Sequence, residues 1–146
     1  MILEVGAKSR SGDYLMKREE VIDFARKYDP QPFHLDDTAA AAHPFFGRLA
    51  ASGWHTCAAV MRLTVDSWDA DGTAPLGGAG VDEIRWLKPV YPGDTIHAEF
   101  EVLAMSPGKP RAGMMLARVL TTTLNQDGVA VMRHVSNVIF RDAPRA

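Results

Sequence analysis

Hydrophobic positions recur with a helical period in the first half of the chain and mostly with a period of two in the second. Val21, Ile22, Phe24, Ala25 and Tyr28 form an apolar stripe at helical spacing, while Lys17, Glu19, Glu20, Asp23, Arg26 and Lys27 cover the other side. Glu19 and Glu20 near the start, and Arg26 and Lys27 near the end, complement the helix dipole. Pro30 stops this helix, so Asp29 lies at its C-terminal edge. Asp36 or Asp37 is placed to cap a short alanine-rich helix over 38–43, which Pro44 ends. Ser52 is placed to cap the longest apolar helix. In that helix Trp54, Cys57, Ala58, Met61 and Val65 fall on one side, and Ala59, Val60 and Leu63 make most of the remainder apolar too. A helix apolar nearly all round is buried on more than one side, and a sheet is its natural wrapping.

The strand pattern begins after a polar stretch. Ser11-Gly12-Asp13 predicts a turn, with residues 14–16 a short extended piece. Residues 66–76 predict a turn-like connection apart from Trp68, and Gly77-Gly78-Ala79-Gly80 a flexible one. From there Val81, Glu83, Arg85 and Leu87 alternate with Asp82, Ile84 and Trp86. Lys88 to Asp94 holds a proline–glycine turn. Ile96, Ala98, Phe100 and Val102 then face one way against Thr95, His97, Glu99 and Glu101, the pattern of a half-exposed antiparallel strand. A strand over 113–124, apolar on both faces for much of its length, leads into the hairpin turn Asn125-Gln126-Asp127-Gly128 and a return strand over 129–140. Helices first and then at least four antiparallel strands describe an α+β fold, with residues 1–146 as one domain and no linker or repeat.

Composition narrows the function classes. With 47% hydrophobic and 23% charged residues the chain has the balance of a soluble globular domain. A net charge of −2 gives no support for nucleic-acid binding. No apolar run approaches the roughly 20 residues that span a bilayer, and residues 1–5 lack the basic flank and apolar run of a secretory leader. The single cysteine, Cys57, excludes an internal disulfide framework and fits a reducing compartment; a cytoplasmic protein is expected. The five histidines form no His-Glu-x-x-His motif, so no metal site is expected, and the Gly77–Gly80 run lacks the lysine of a phosphate loop.

The segment Tyr28-Asp29-Pro30-Gln31-Pro32-Phe33-His34-Leu35-Asp36 carries the candidate chemistry. Two prolines stiffen a loop between two helices and hold a carboxylate and an imidazole at a set separation. The same residues also fit a structural role, with Asp29 as a helix cap and His34 bonded to backbone. Gly53 at the start of the apolar helix can offer an unpaired N–H, or can allow tight packing beside the Ser52 cap.

Three segments together resemble one family: the Tyr28–Asp36 segment, Ser52-Gly53-Trp54-His55-Thr56, and Arg85-Trp86-Leu87-Lys88-Pro89-Val90-Tyr91-Pro92-Gly93-Asp94. They are similar to the MaoC-like and R-specific enoyl-CoA hydratases, over about residues 14–141. The resemblance implies a hot-dog fold, an antiparallel sheet wrapped around a long central helix, usually as a homodimer with a continuous sheet. It implies that Asp29 and His34 are the catalytic pair and that the Gly53 N–H holds an oxyanion. The implied reaction is reversible hydration of a 2-enoyl-CoA to a 3-hydroxyacyl-CoA, the R isomer, with coenzyme A carried on the substrate and no other cofactor. Gln31 stands where that family often has asparagine, and Ser52 where it often has histidine. Ser52, Trp54 and Phe33 are expected at the substrate. Arg85, Lys88, Lys109 and Arg111 are available to the coenzyme A phosphates, or are simply solvated surface charges. An acyl-CoA thioesterase of the same fold and a noncatalytic acyl-CoA-binding subunit are the competing functions.

Overall fold

A computed structural model describes residues 1–107 and 113–141. In chain order the elements are β1 (Lys8–Leu15), α1 (Arg18–Tyr28), a 3-10 turn (Pro32–His34), α2 (Asp37–Ala41), α3 (Gly53–Ala70), β2 (Pro75–Trp86), β3 (Thr95–Pro107), β4 (Met114–Leu124) and β5 (Ala130–Arg141). The five strands form one antiparallel sheet in the order β1-β3-β4-β5-β2. The α+β hot-dog architecture is therefore present, with α3 packed across one face of the sheet.

The core sits between α3 and that face. Ile96, Ala98, Phe100 and Val102 on β3 are each at most 2% exposed, as their alternation requires. Trp68 near the end of α3 lies against Phe100 and Phe140, with ring centroids 5.7 and 5.6 Å away. The caps are as local chemistry dictates. Asp36 accepts from the N–H groups of Thr38 and Ala39, and Ser52 Oγ accepts from the Trp54 N–H.

Three expectations give way. The α3 helix runs on to Ala70, into the stretch with turn-like composition. It is also not buried on every apolar side: Trp54, Met61 and Val65 are 57%, 57% and 45% exposed, and one face is buried. That face is His55, Thr56, Ala59, Val60, Leu63 and Trp68. In a helix apolar nearly all round the pattern carries little phase, and the smaller residues let the backbone approach the sheet. Secondly, the glycine run lies inside β2, where the register against β5 shifts three times. Glycine lets that edge strand bend at its bulges, and Gly80 takes φ +147°. Thirdly, Ser11-Gly12-Asp13 is a break of register within β1 rather than a turn, and Ser11 Oγ accepts from the Ala98 N–H at 2.8 Å. No helix among the described residues is long and apolar enough to cross a membrane.

Candidate active site

The proline-rich segment is rigid because its backbone is almost fully bonded. The Asp29 N–H caps α1 by donating to Ala25 O, the Gln31 N–H donates to Asp29 O at 2.7 Å, and the His34 N–H donates to Gln31 O at 2.9 Å. Pro32 opens the 3-10 turn, where its missing N–H costs nothing. The turn carries His34 inward, leaving its side chain 5% exposed, while that of Asp29 is 17% exposed.

The His34 ring is held at one nitrogen. Its Nδ1 lies 2.7 Å from Ala50 O. A carbonyl only accepts, so Nδ1 carries the proton and donates it. In the neutral ring Nε2 is then an acceptor, and it faces Asp29 Oδ2 at 3.4 Å. The other carboxylate oxygen, Oδ1, accepts from Gln31 Nε2 at 2.6 Å. With the ring in that form two acceptors converge on one spot, and each keeps a lone pair for a shared donor.

Gly53 lines the same cavity, of about 540 Å³, as this pair. It is the first residue of α3, and its N–H finds no acceptor among the described residues. The lack of a side chain has a clear steric cause. A Cβ built there would meet three atoms of the Trp86 indole at 2.6, 2.6 and 2.9 Å. Trp86 Nε1 also donates to Gly53 O at 3.0 Å, and its ring meets Trp54 edge-on.

Asp29, His34, Gly53, Trp54 and Lys88 all line this cavity. The other expected residues lie elsewhere. Phe33 packs edge-on behind His34 at 4.6 Å between centroids and also contacts Phe46. Ser52 is fully buried and its hydroxyl is occupied by the α3 cap. Arg85 lines a neighbouring cleft. Lys109 and Arg111 fall outside the described residues. Phe45, Phe46, Thr56, Trp86 and Leu87 complete much of the wall. The Tyr91 hydroxyl donates to Phe46 O at 2.7 Å, and Arg48 lies 3.8 Å above the Tyr91 ring, so the proline–glycine turn anchors the aromatic loop. Trp86 and Leu87 belong to the third resembling segment, which was the available signal for them. Gln31 stood in the first segment without an assigned role.

Cys57 sits apart from this cavity beside Met132, and burial pushes its thiol up, away from the reactive thiolate. No cluster of three or more histidine, cysteine or acidic side chains suited to a metal exists among the described residues.

A sequence profile of the MaoC like domain matches residues 4–125. The chain belongs to the MaoC-like family. A MaoC-like dehydratase from Rhodospirillum rubrum is 40% identical, with a TM-score of 0.85 over 98% of this chain and 96% of its own. An (R)-hydratase from A. caviae is 28% identical, with a TM-score of 0.71 over 95% of this chain and 97% of its own. A mesaconyl-CoA hydratase from Cereibacter sphaeroides is 42% identical over 83 residues, which are 56% of this chain but 23% of that protein. This MaoC-like chain is accordingly an enzyme of the hydratase and dehydratase type.

Proposed function

We propose that this MaoC-like enzyme reversibly adds water to the double bond of a 2-enoyl-CoA thioester, giving a 3-hydroxyacyl-CoA. The observation that carries the proposal is the convergence of Asp29 Oδ2 and His34 Nε2, 3.4 Å apart, in the cavity that Gly53 also lines. A water molecule has two O–H donors, and two adjacent acceptors fix its orientation. Asp29 takes one proton as the water oxygen bonds to C3. The π electrons move to the thioester oxygen, and the Gly53 N–H stabilises that charge. The proton returns to C2 by way of His34, so one water is added and both side chains end as they began. Transfer through positioned groups is typically worth about 10²- to 10⁴-fold, and one oxyanion donor about 2.7–4 kcal/mol. The R configuration is proposed from the likeness to the (R)-hydratase. Lys88, on the cavity wall, is available to the polar part of the carrier.

The enzyme is also proposed to work as a homodimer. Among the described residues β2 is an edge strand without a partner on its outer side, and beside it α3 and β2 leave an apolar cleft of about 400 Å³. Met61, Val81 and Leu76 there are 57%, 50% and 44% exposed. A second copy paired edge to edge would cover both features. Sedimentation showing only monomer at micromolar concentration would remove this part.

The chemistry is tested with crotonyl-CoA. Loss of absorbance from the conjugated bond without release of thiol marks hydration, and release of thiol marks hydrolysis. Asp29→Asn is expected to lower hydration by at least about 100-fold with the fold retained. Undiminished turnover in that variant removes Asp29 from its role.

A further inference from the structure

Among the described residues, the wall of the cavity that Asp29, His34 and Gly53 share holds one hydroxyl, that of Thr56 on α3. Thr56 is only 2% exposed and belongs to the buried face of the helix. A threonine inside a helix can turn its hydroxyl back to the carbonyl one turn earlier. Thr64 in the same helix does so, donating to Val60 O at 2.7 Å. Thr56 does not. The acceptor open to it, Ser52 O, already takes the N–H groups of His55 and of Thr56 itself, at 2.9 and 3.2 Å, which occupies both lone pairs. The buried side-chain oxygens and nitrogens sealed off without a partner among the described residues are those of Ser9, His55, Trp68 and Thr123. The Thr56 hydroxyl also lacks a partner among the described residues, yet it is not one of these. The little surface that Thr56 keeps therefore includes its oxygen, and that surface opens on the cavity.

Helix geometry sets where that oxygen stands. Residues three apart lie on one face of a helix. Each Cα–Cβ bond tilts towards the N-terminus, so a side chain covers the turn before its own Cα. The Thr56 side chain therefore leans over the turn that Gly53 opens. The other polar groups of the wall are engaged or of the wrong kind. Asp29 Oδ2 and His34 Nε2 are acceptors and face each other. The Trp86 Nε1–H donates to Gly53 O at 3.0 Å. Lys88 and Trp54 are exposed. Among the described residues the Thr56 hydroxyl is the buried side-chain donor that this wall still has free.

We infer that the Thr56 hydroxyl is a second donor to the thioester oxygen, beside the Gly53 N–H. Negative charge reaches that oxygen only as water attacks C3, and a fixed donor holds the charged oxygen more strongly than the neutral carbonyl. The gain therefore falls on the transition state and shows in kcat. Thr56 lends a hydrogen bond and keeps its proton, so the proton balance of the hydration is unchanged. The inference rests on the acyl-thioester reading of the cavity and gives a part in the chemistry to a residue that reading leaves as wall.

The test observes the thioester carbonyl directly. Butyryl-CoA, isotope-labelled at the carbonyl carbon, cannot be hydrated, and difference infrared spectra give its carbonyl stretch when bound. In the wild type the stretch is expected to fall below its value in water. Thr56→Val is expected to move it part of the way back, and Thr56→Ser to keep it low. Crotonyl-CoA hydration is expected to lose about 10- to 100-fold in kcat in Thr56→Val with KM little changed, and to stay within about threefold in Thr56→Ser. Valine matches threonine in outline, and an unchanged melting temperature confirms the fold. Should valine unsettle it, Thr56→Ser against Thr56→Ala repeats the comparison one oxygen apart. A stretch in Thr56→Val equal to that in wild type overturns the assignment whatever the rate, since a lowered rate alone would put the hydroxyl on the water or in the fold. A wild-type stretch no lower than in water overturns it, and so does a loss in Thr56→Ser as large as in Thr56→Val. A kcat in Thr56→Val within about twofold of wild type does the same. Wild-type protein that fails to bind butyryl-CoA overturns the assignment together with the acyl-thioester reading. Failure to hydrate crotonyl-CoA, with the carbonyl shift and its dependence on Thr56 intact, overturns only the reaction.

Discussion

Replacing Gly53 by alanine separates the two reasons for a glycine at the start of α3. The backbone N–H survives the change, while the new methyl group would sit 2.6–2.9 Å from three atoms of the Trp86 indole. Carbon atoms in good contact lie about 3.5–4.0 Å apart, so ring or helix must shift by roughly 1 Å. The ring has room to move outward, because Trp86 is 47% exposed. Moving it breaks the bond from Nε1 to Gly53 O at 3.0 Å and disturbs the edge contact with Trp54. Overpacking costs about 1–3 kcal/mol and the lost hydrogen bond about 0.5–1.5. Alanine recovers about 0.5–1 kcal/mol over glycine in a helix interior, and less at its first residue. The net expectation is a loss of about 1–3 kcal/mol, with roughly 2–4 °C of melting temperature per kcal/mol in a chain of this size. Urea titration gives the free energy and also shows whether the slope, and hence two-state unfolding, is preserved. The decisive measurement is the same substitution in a Trp86→Ala background. With the ring gone, Gly53→Ala is expected to be neutral or slightly stabilising, a coupling of about 1–3 kcal/mol between the two sites. An equal cost in both backgrounds would refute the steric account. Hydration should recover in part in the double variant, since the N–H donor is still there. If it stays abolished although stability returns, the glycine serves the substrate through its bare Cα rather than through space for Trp86.

Two further outcomes follow from side chains near the site. Gln31→Leu removes the amide that fixes Asp29 Oδ1 at 2.6 Å; it is expected to lower kcat roughly 10-fold with KM little changed, and an unaltered kcat would show that the carboxylate needs no such restraint. Stability is expected to fall on acidification because burial holds both His55 and His134 below the ordinary histidine range, with Glu20 opposing weakly at His55. His55 is 6% exposed, stacked on Phe24, and its Nδ1 has no partner among the described residues. The unfolded chain therefore binds more protons than the folded one below about pH 6.5, so stability is full above that value and is lost as the pH drops through it. Melting temperatures taken from about pH 8 to pH 5 should fall, and less steeply in His55→Gln; a rise on acidification, or an unchanged slope in the variant, contradicts this assignment.

What the sequence made legible was governed by neighbours along the chain. The end of α1 at Pro30, the caps at Asp36 and Ser52, the hairpin turn over 125–128 and the alternation in β3 each depend on residues within a few positions. The separation of Asp29 and His34 belongs to the same class, since two prolines and a 3-10 turn set it locally. The rotation of α3 about its axis depends instead on which apolar face the sheet accepts, and a helix apolar nearly all round does not disclose that. The glycine run in β2 misled for a related reason. Glycine marks both loops and bulged edge strands, and only pairing with β5 distinguishes them.

Gly53 stands between these two classes. Its place at a helix start follows from the serine before it, and so does an N–H without an acceptor among the described residues. Its missing Cβ is accounted for by a ring 33 residues further on, across the boundary between helix and sheet. One residue thus joins the cap of α3 to the last residue of β2. The cavity wall and the proposed oxyanion donor then share a single structural joint. Any change that swings Trp86 outward is expected to disturb acyl binding, whereas Arg133→Gln on the neighbouring strand, outside the cavity lining, should leave it unchanged. Affinities for butyryl-pantetheine, measured side by side in Trp86→Ala and Arg133→Gln, decide the point: losses of equal size in the two variants would show that Trp86 has no particular part in holding the acyl group.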